Sequence, residues 1–153
     1  MAADLWTLYW AFVAFVFGAV TGSFLNVCIW RLPQGVSLSD PPSHCPSCKH
    51  RLNYFPDMVP LLSQLWYRSR CRYCGVRFSW RYLWVELLTA VVFTAIYYRY
   101  VVFPPDRFTE VNANWSGLAG MLFAAALITI FFIDLEHYQI PDIAVLVAVG
   151  VAL

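Results

Sequence analysis

The sequence predicts an all-α polytopic membrane protein with one small cysteine-rich loop domain. Three observations carry that prediction. The chain is 61% hydrophobic and 12% charged, whereas soluble domains run at about 45–50% and about 25%, so a soluble core cannot absorb its apolar surface. Two runs, Leu5–Trp30 and Val111–Ile133, hold no charged residue and exceed the roughly 20 residues that cross a bilayer. Eight of the ten basic residues (Arg31, Lys49, Arg51, Arg68, Arg70, Arg72, Arg77 and Arg81) fall between the first and second apolar segments, an asymmetry that orients the chain.

Residues 1–30 form the first transmembrane helix. The competing reading, a secretory signal, calls for a basic residue ahead of the apolar run; only Asp4 stands there, and the run is too long for a signal's apolar region. Gly18 and Gly22 have the small-xxx-small spacing that lets two membrane helices approach closely, although glycine is common in such helices in any case. Asn26 lies on the same side one turn further on and needs a hydrogen-bonding partner, either as glue between helices or as a substrate contact. Cys28, alone in the span, reads as a small buried apolar residue.

Residues 31–81 form a loop that its excess of basic residues places in the cytoplasm, with the N-terminus in the periplasm. Topology accounts for the charge, so the expected partner is the lipid bilayer and not a nucleic acid. Six of the nine prolines lie in this loop, which makes it turn-rich, and an insert of this size buries little core without a staple such as a metal. Cys45-Pro-Ser-Cys48 and Cys71-Arg-Tyr-Cys74, two Cys-x-x-Cys knuckles separated by residues 49–70, supply one. Four thiolates from two turns make a tetrahedral cage suited to zinc, and Pro46 and Gly75 help the knuckles turn. Two disulfides are the alternative, disfavoured in a reducing cytoplasm. Four cysteine ligands leave no open position for a catalytic water, so the expected zinc is structural. His44 and His50 flank the first knuckle and read as solvated neighbours.

Residues 82–103 form the second transmembrane helix, whose only charges, Glu86 and Arg99, stand near its ends where they can snorkel. Residues 104–116, with Asp106 and Glu110, form a periplasmic loop. The polar residues Asn112, Asn114 and Ser116 leave 117–133 as the third transmembrane helix. Residues 134–142 are a cytoplasmic-edge segment, and 143–153 begin a fourth apolar helix that stops short of a span, so the chain reads as truncated.

In that edge segment the apolar helix runs directly into Asp134, Glu136 and His137. A carboxylate at such depth is expensive, which makes Asp134 a catalytic candidate, with an interfacial residue capping the span as the alternative. Glu136 and His137 are close enough in sequence to relay protons, and a polar turn is the simpler reading. Asp142 follows Pro141 and precedes an apolar run, the pattern of a helix start. Metal-free peptide hydrolysis can use two carboxylates that share a site, one ionised to activate water and one protonated to polarise the carbonyl. Asp134 and Asp142 do not read as that pair, because Pro141 interrupts between them, and no acidic residue follows Asp142.

Several segments together resemble the bacterial type IV prepilin peptidases. Gly22-Ser23-Phe24-Leu25-Asn26-Val27 with Arg31-Leu32-Pro33 is similar to that family's opening signature, and the paired knuckles to its zinc loop. Pro60-Leu61-Leu62-Ser63, Arg70-Cys71-Arg72-Tyr73-Cys74-Gly75 and Arg81-Tyr82 with Val85-Glu86-Leu87-Leu88-Thr89 match the stretches that follow. Ile133-Asp134-Leu135 through Ile140-Pro141-Asp142 resembles the segment with the first of two catalytic aspartates. Leu83 stands where the family usually has proline, and Ser69 where it often has glycine. The resemblance implies an aspartyl protease of the inner membrane that cleaves the leader from prepilins and pseudopilins, and in many members methylates the new N-terminus with S-adenosylmethionine. It implies Asp134 as the first catalytic aspartate and Cys45, Cys48, Cys71 and Cys74 as zinc ligands. The second aspartate, in a Gly-x-Gly-Asp segment, would lie beyond Leu153, so this chain alone is expected to be inactive. Two other readings stay open: a non-catalytic zinc-binding scaffold of a pilus or type II secretion system, and a half-enzyme completed by another chain.

Overall fold

The computed structural model describes residues 4–40, 42–53, 57, 59–104, 110–138 and 142–152. Five α-helices follow one another: α1 (Leu5–Arg31), α2 (Leu62–Trp66), α3 (Arg81–Tyr97), α4 (Glu110–His137) and α5 (Asp142–Ala152). A 3-10 turn, Leu32–Gln34, follows α1, and a π-helical turn, Tyr98–Val102, extends α3. Among the described residues there is no strand, and the isolated bridges of His44 to Arg51 and Arg70 to Arg77 are the only β pairing.

Three segments, Leu5–Gln34, Arg81–Val102 and Asn114–His137, are long and apolar enough to cross a membrane. Their apolar residues surround the helix instead of lining one stripe, as befits helices whose outer faces meet lipid. Phe12, Phe17 and Phe24 on α1 and Leu122, Leu127 and Phe131 on α4 all point outward and are exposed, an apolar surface far beyond scattered single residues.

Close packing of α1 on α3 organises the bundle, and the two glycines of α1 permit it. A Cβ on Gly18 would lie 2.7 Å from the Ala90 Cα, and one on Gly22 would lie 2.7 Å from the Glu86 Cα. Both clashes are with backbone, which cannot swing aside as a side chain would. The glycine spacing is therefore a packing device and not a compositional accident. Thr89, fully buried at this seam, donates its hydroxyl to the Val85 carbonyl at 2.7 Å and so brings in no unpaired polar atom. Helix α4 completes the core, with Ala125, Ile128 and Ile133 meeting Leu25 and Ile29 of α1 and Val85 and Phe93 of α3. Helix α5 packs along α4.

The helices differ from the expected spans mainly at α4. It begins at Glu110, not Gly117, so Asn112, Asn114 and Ser116 are helical and not part of a loop at 104–116. The first turn of any helix has amide groups without intrahelical acceptors, and polar residues suit it as well as they suit a loop. At its far end α4 runs through His137, so Asp134 is a helical residue and not part of a separate segment at 134–142. Tyr138 ends the helix in a left-handed conformation, φ 51°, with its N–H bonded to the Asp134 carbonyl at 2.9 Å. Positions 105–109, with Asp106, and 139–141, with Pro141, lie outside the described residues.

Candidate metal centre and helix-end carboxylate

The two knuckles share one backbone plan. In the first, the Cys45 N–H donates to the His50 carbonyl at 2.9 Å and the Lys49 N–H to the Cys45 carbonyl at 3.0 Å. In the second, the Cys71 N–H donates to the Val76 carbonyl at 2.8 Å and the Gly75 N–H to the Cys71 carbonyl at 2.9 Å. The turn requires a left-handed residue after the second cysteine, supplied by Gly75 at φ 73° and by Lys49 at φ 59°. Glycine takes that conformation without strain, lysine at some cost. Nothing lies within 4 Å of a Cβ built on Gly75, so conformation and not space is what favours glycine there.

The turns bring all four sulfurs within 4.8 Å of one another. Cys45 Sγ is 3.7 Å from Cys74 Sγ, and Cys48 Sγ is 3.9 Å from Cys71 Sγ. A tetrahedron of thiolates at the usual Zn–S distance of about 2.3 Å has edges of about 3.8 Å, and these two separations match such edges. No disulfide joins any of the four cysteines. Neither flanking histidine belongs to the cluster: His44 Nδ1 lies 3.1 Å from the Pro42 carbonyl oxygen, and the His50 ring lies on Tyr73 with centroids 3.6 Å apart.

The electrostatics also call for a cation. Burial pushes the Cys45 thiol up, but the backbone N–H groups of Cys48 and Ser47, with the thiols of Cys48 and Cys71, outweigh it and bring Cys45 down to about 7. The His50 N–H pulls Cys48 down, but desolvation and competition with Cys45, Cys74 and Cys71 push it up to about 11. The cluster thus accepts one negative charge near neutral pH and resists another, as coupled sites do. A divalent metal would supply the compensating charge.

Polar ties hold the helices to one another and to this loop. Glu86, 4% exposed, accepts the Leu61 N–H at 2.8 Å. It does not snorkel as expected, because the close approach of α1 at Gly22 and the loop at Leu61 cover it. Asn26, 2% exposed, donates from Nδ2 to the Tyr82 carbonyl at 3.1 Å, and Arg31 donates to the Ser37 carbonyl at 2.7 Å. Between these ties lies a cavity of about 280 Å³. The sequence offered no sign of it, because its walls come from segments far apart in the chain.

Asp134 is exposed near the end of α4. Two residues on, Glu136 is ion-paired with Arg81 at the start of α3, which fastens the α4 end to the base of the loop. That pairing gives Glu136 a structural task. His137 is half-buried, with Nε2 unpaired among the described residues. Asp142 stands exposed in the first turn of α5, where a negative charge meets the positive helix end. No hydrogen bond joins Asp142 to Asp134 among the described residues.

Residues 16–100 match the family described as the bacterial peptidase A24 N-terminal domain. The prepilin leader peptidase/N-methyltransferase of Myxococcus xanthus is 39% identical over 83% of this chain and 34% of its own. The type 4 prepilin-like proteins leader peptide-processing enzyme of Escherichia coli is 38% identical over 86% of this chain and 51% of its own. The prepilin leader peptidase/N-methyltransferase of Aeromonas hydrophila is 36% identical over 93% and 53% respectively. The chain therefore spans between a third and about half the length of these curated relatives. No solved structure matches it. With a match that runs from within α1 through the knuckle loop and α3, the chain belongs to the bacterial A24 peptidase family, whose N-terminal domain it carries.

Proposed function

We propose that this chain is the N-terminal portion of a membrane aspartyl peptidase that removes the leader from type IV prepilins and pseudopilins and methylates the N-terminus so exposed. The family membership carries this reading, since the matched stretch contains all four cysteines and the relatives are named for leader processing. In this scheme the N-terminus lies in the periplasm, and the knuckle loop and the α4 end lie on the cytoplasmic side of the inner membrane, where the basic residues of the loop favour them. Zinc held by Cys45, Cys48, Cys71 and Cys74 is structural, because a cage closed by four thiolates offers no open position for water.

Asp134 acts as one of two catalytic carboxylates. Its exposure at a helix end, beside apolar surface, suits a group that must meet both water and a membrane-held peptide. The partner carboxylate is supplied from outside this chain, and proximity of the two would split their proton affinities into a base and an acid. S-adenosylmethionine supplies the methyl group in the second reaction.

Replacing Asp134 with Asn in the intact protein is expected to abolish leader cleavage, read as the mobility shift of a prepilin substrate, while zinc content stays the same. Undiminished cleavage would overturn the assignment. If cleavage is absent from the unaltered protein as well, and cysteine replacement abolishes binding of a secretion partner, the chain is a scaffold.

A further inference from the structure

We infer that the cavity between the knuckle loop and the α1–α3 pair is a binding site for a cationic group of a peptide, an ammonium or a guanidinium, received by Glu86 and Asn26. That the ligand is a peptide rests on the leader-processing reading; that it is a cation rests on the residues at the cavity floor.

Two buried acceptors line that floor. The Glu86 carboxylate accepts the Leu61 N–H at 2.8 Å. An ionised carboxylate has about four lone-pair positions, so this one bond leaves acceptor capacity unspent. Asn26 is held in one orientation, because its Nδ2 must be the group that faces the Tyr82 carbonyl. Its Oδ1 is buried and has no partner among the described residues. A buried carbonyl is normally satisfied, and an unsatisfied one beside a cavity marks the place of a missing donor. A buried carboxylate likewise calls for a paired charge. An ammonium or guanidinium answers both, since each carries only donors and a positive charge.

The rest of the cavity agrees. Its basic residues have settings of their own: Arg31 donates to the Ser37 carbonyl and Lys49 is exposed in the knuckle turn. They suit the carbonyls that follow a cation along a peptide. The volume of about 280 Å³ falls just under the roughly 300–1,000 Å³ of small-molecule sites, which fits a single side chain or chain terminus better than a nucleoside-sized cofactor. The cavity is also close to the carboxylate end of α4: Tyr82, bonded to Asn26, follows Arg81, which pairs with Glu136, two residues from Asp134.

The cation has two possible sources in one substrate, any basic side chain of the leader and the α-amino group that cleavage exposes. The test is binding of fluorescent peptides to the intact protein in lipid nanodiscs, read by polarisation. Four peptides serve as probes: a leader-junction peptide with its lysines free or acetylated, and a mature-end peptide with its α-amine free or acetylated. In at least one pair, neutralising the cation should weaken binding about tenfold or more, the scale of one charge-assisted hydrogen bond. The variant Glu86→Gln keeps an acceptor for Leu61 and should remove that difference without affecting the neutral peptides. The pair that responds identifies the source. Equal binding within both pairs by the unaltered protein overturns the proposal even if the variant fails to fold, and so does an equal loss for charged and neutral peptides in the folded variant. Charge-selective binding without any cleavage would sink the peptidase reading and leave the site standing; cleavage with charge-blind binding would do the reverse.

Discussion

The helix bundle and the knuckle loop are held together by opposite means. In the bundle, α1 and α3 approach until backbone meets backbone at Gly18 and Gly22, and a continuous set of apolar side chains fills the seam with α4. In the loop, Cys45, Ser69 and Cys71 are the only buried residues among those described between positions 32 and 80. Two of these three are metal ligands in the proposed scheme. A segment with almost no core cannot draw its order from apolar burial, so coordination has to replace packing there. The contrast says that the bundle should survive without metal and that the loop should not.

The most direct way to break that contrast is to remove the metal. Chelation, or Cys71→Ser, should release hydrogen-exchange protection across residues 44–78 while leaving α1 and α3 protected. The effect should be large, because structural zinc contributes about 10–16 kcal/mol of apparent binding energy at neutral pH. Acidification should act in the same direction. Protons compete with the metal for the four thiolates, so metal release into a chromophoric chelator should grow as pH falls. Loss of protection throughout the bundle on chelation would mean that the two regions form one cooperative unit.

An intermediate effect is expected from Gly22→Ala. The added methyl would sit 2.7 Å from the Glu86 Cα, and relief requires separating the helices, at a cost of about 1–3 kcal/mol typical of overpacking. Denaturant unfolding in detergent would measure it, and zinc content should not change. An unaltered midpoint would show that the α1–α3 seam has slack.

The smallest effect concerns the link between the regions. Arg81→Ala removes the ion pair with Glu136, which is partly open to solvent, and should cost only about 0.2–1 kcal/mol. Sharper than the stability change is its expected signature: faster exchange confined to the α4 end near Asp134, with the knuckles unaffected.

Much of this was readable before any coordinates. The apolar runs announce three helices, because a span is a matter of length and composition that neighbours do not alter. The knuckles announce a cage, because Cys-x-x-Cys sets two sulfurs on one tight turn and only the meeting of the two turns is left to folding. Helix α4 extends ahead of the apolar span expected from Gly117, since a polar residue such as Asn112 suits a helix's first turn as well as a loop. Glu86 is the larger departure. Near the end of an apolar run it looks like a charge that reaches water, and nothing local reveals the loop that covers it.

By itself, then, the sequence determined the helical class, the asymmetric loop, the four-cysteine set and the carboxylate where the apolar run of α4 ends, all of them local in pattern. Tertiary structure alone decided that Gly18 and Gly22 press against α3, that Leu61 bonds to Glu86, and that Asn26 and Glu86 together floor a cavity. The reason is physical. Periodicity and spacing are properties of neighbouring residues, whereas burial of a polar group depends on which distant segment comes to lie over it, and no residue carries that information alone.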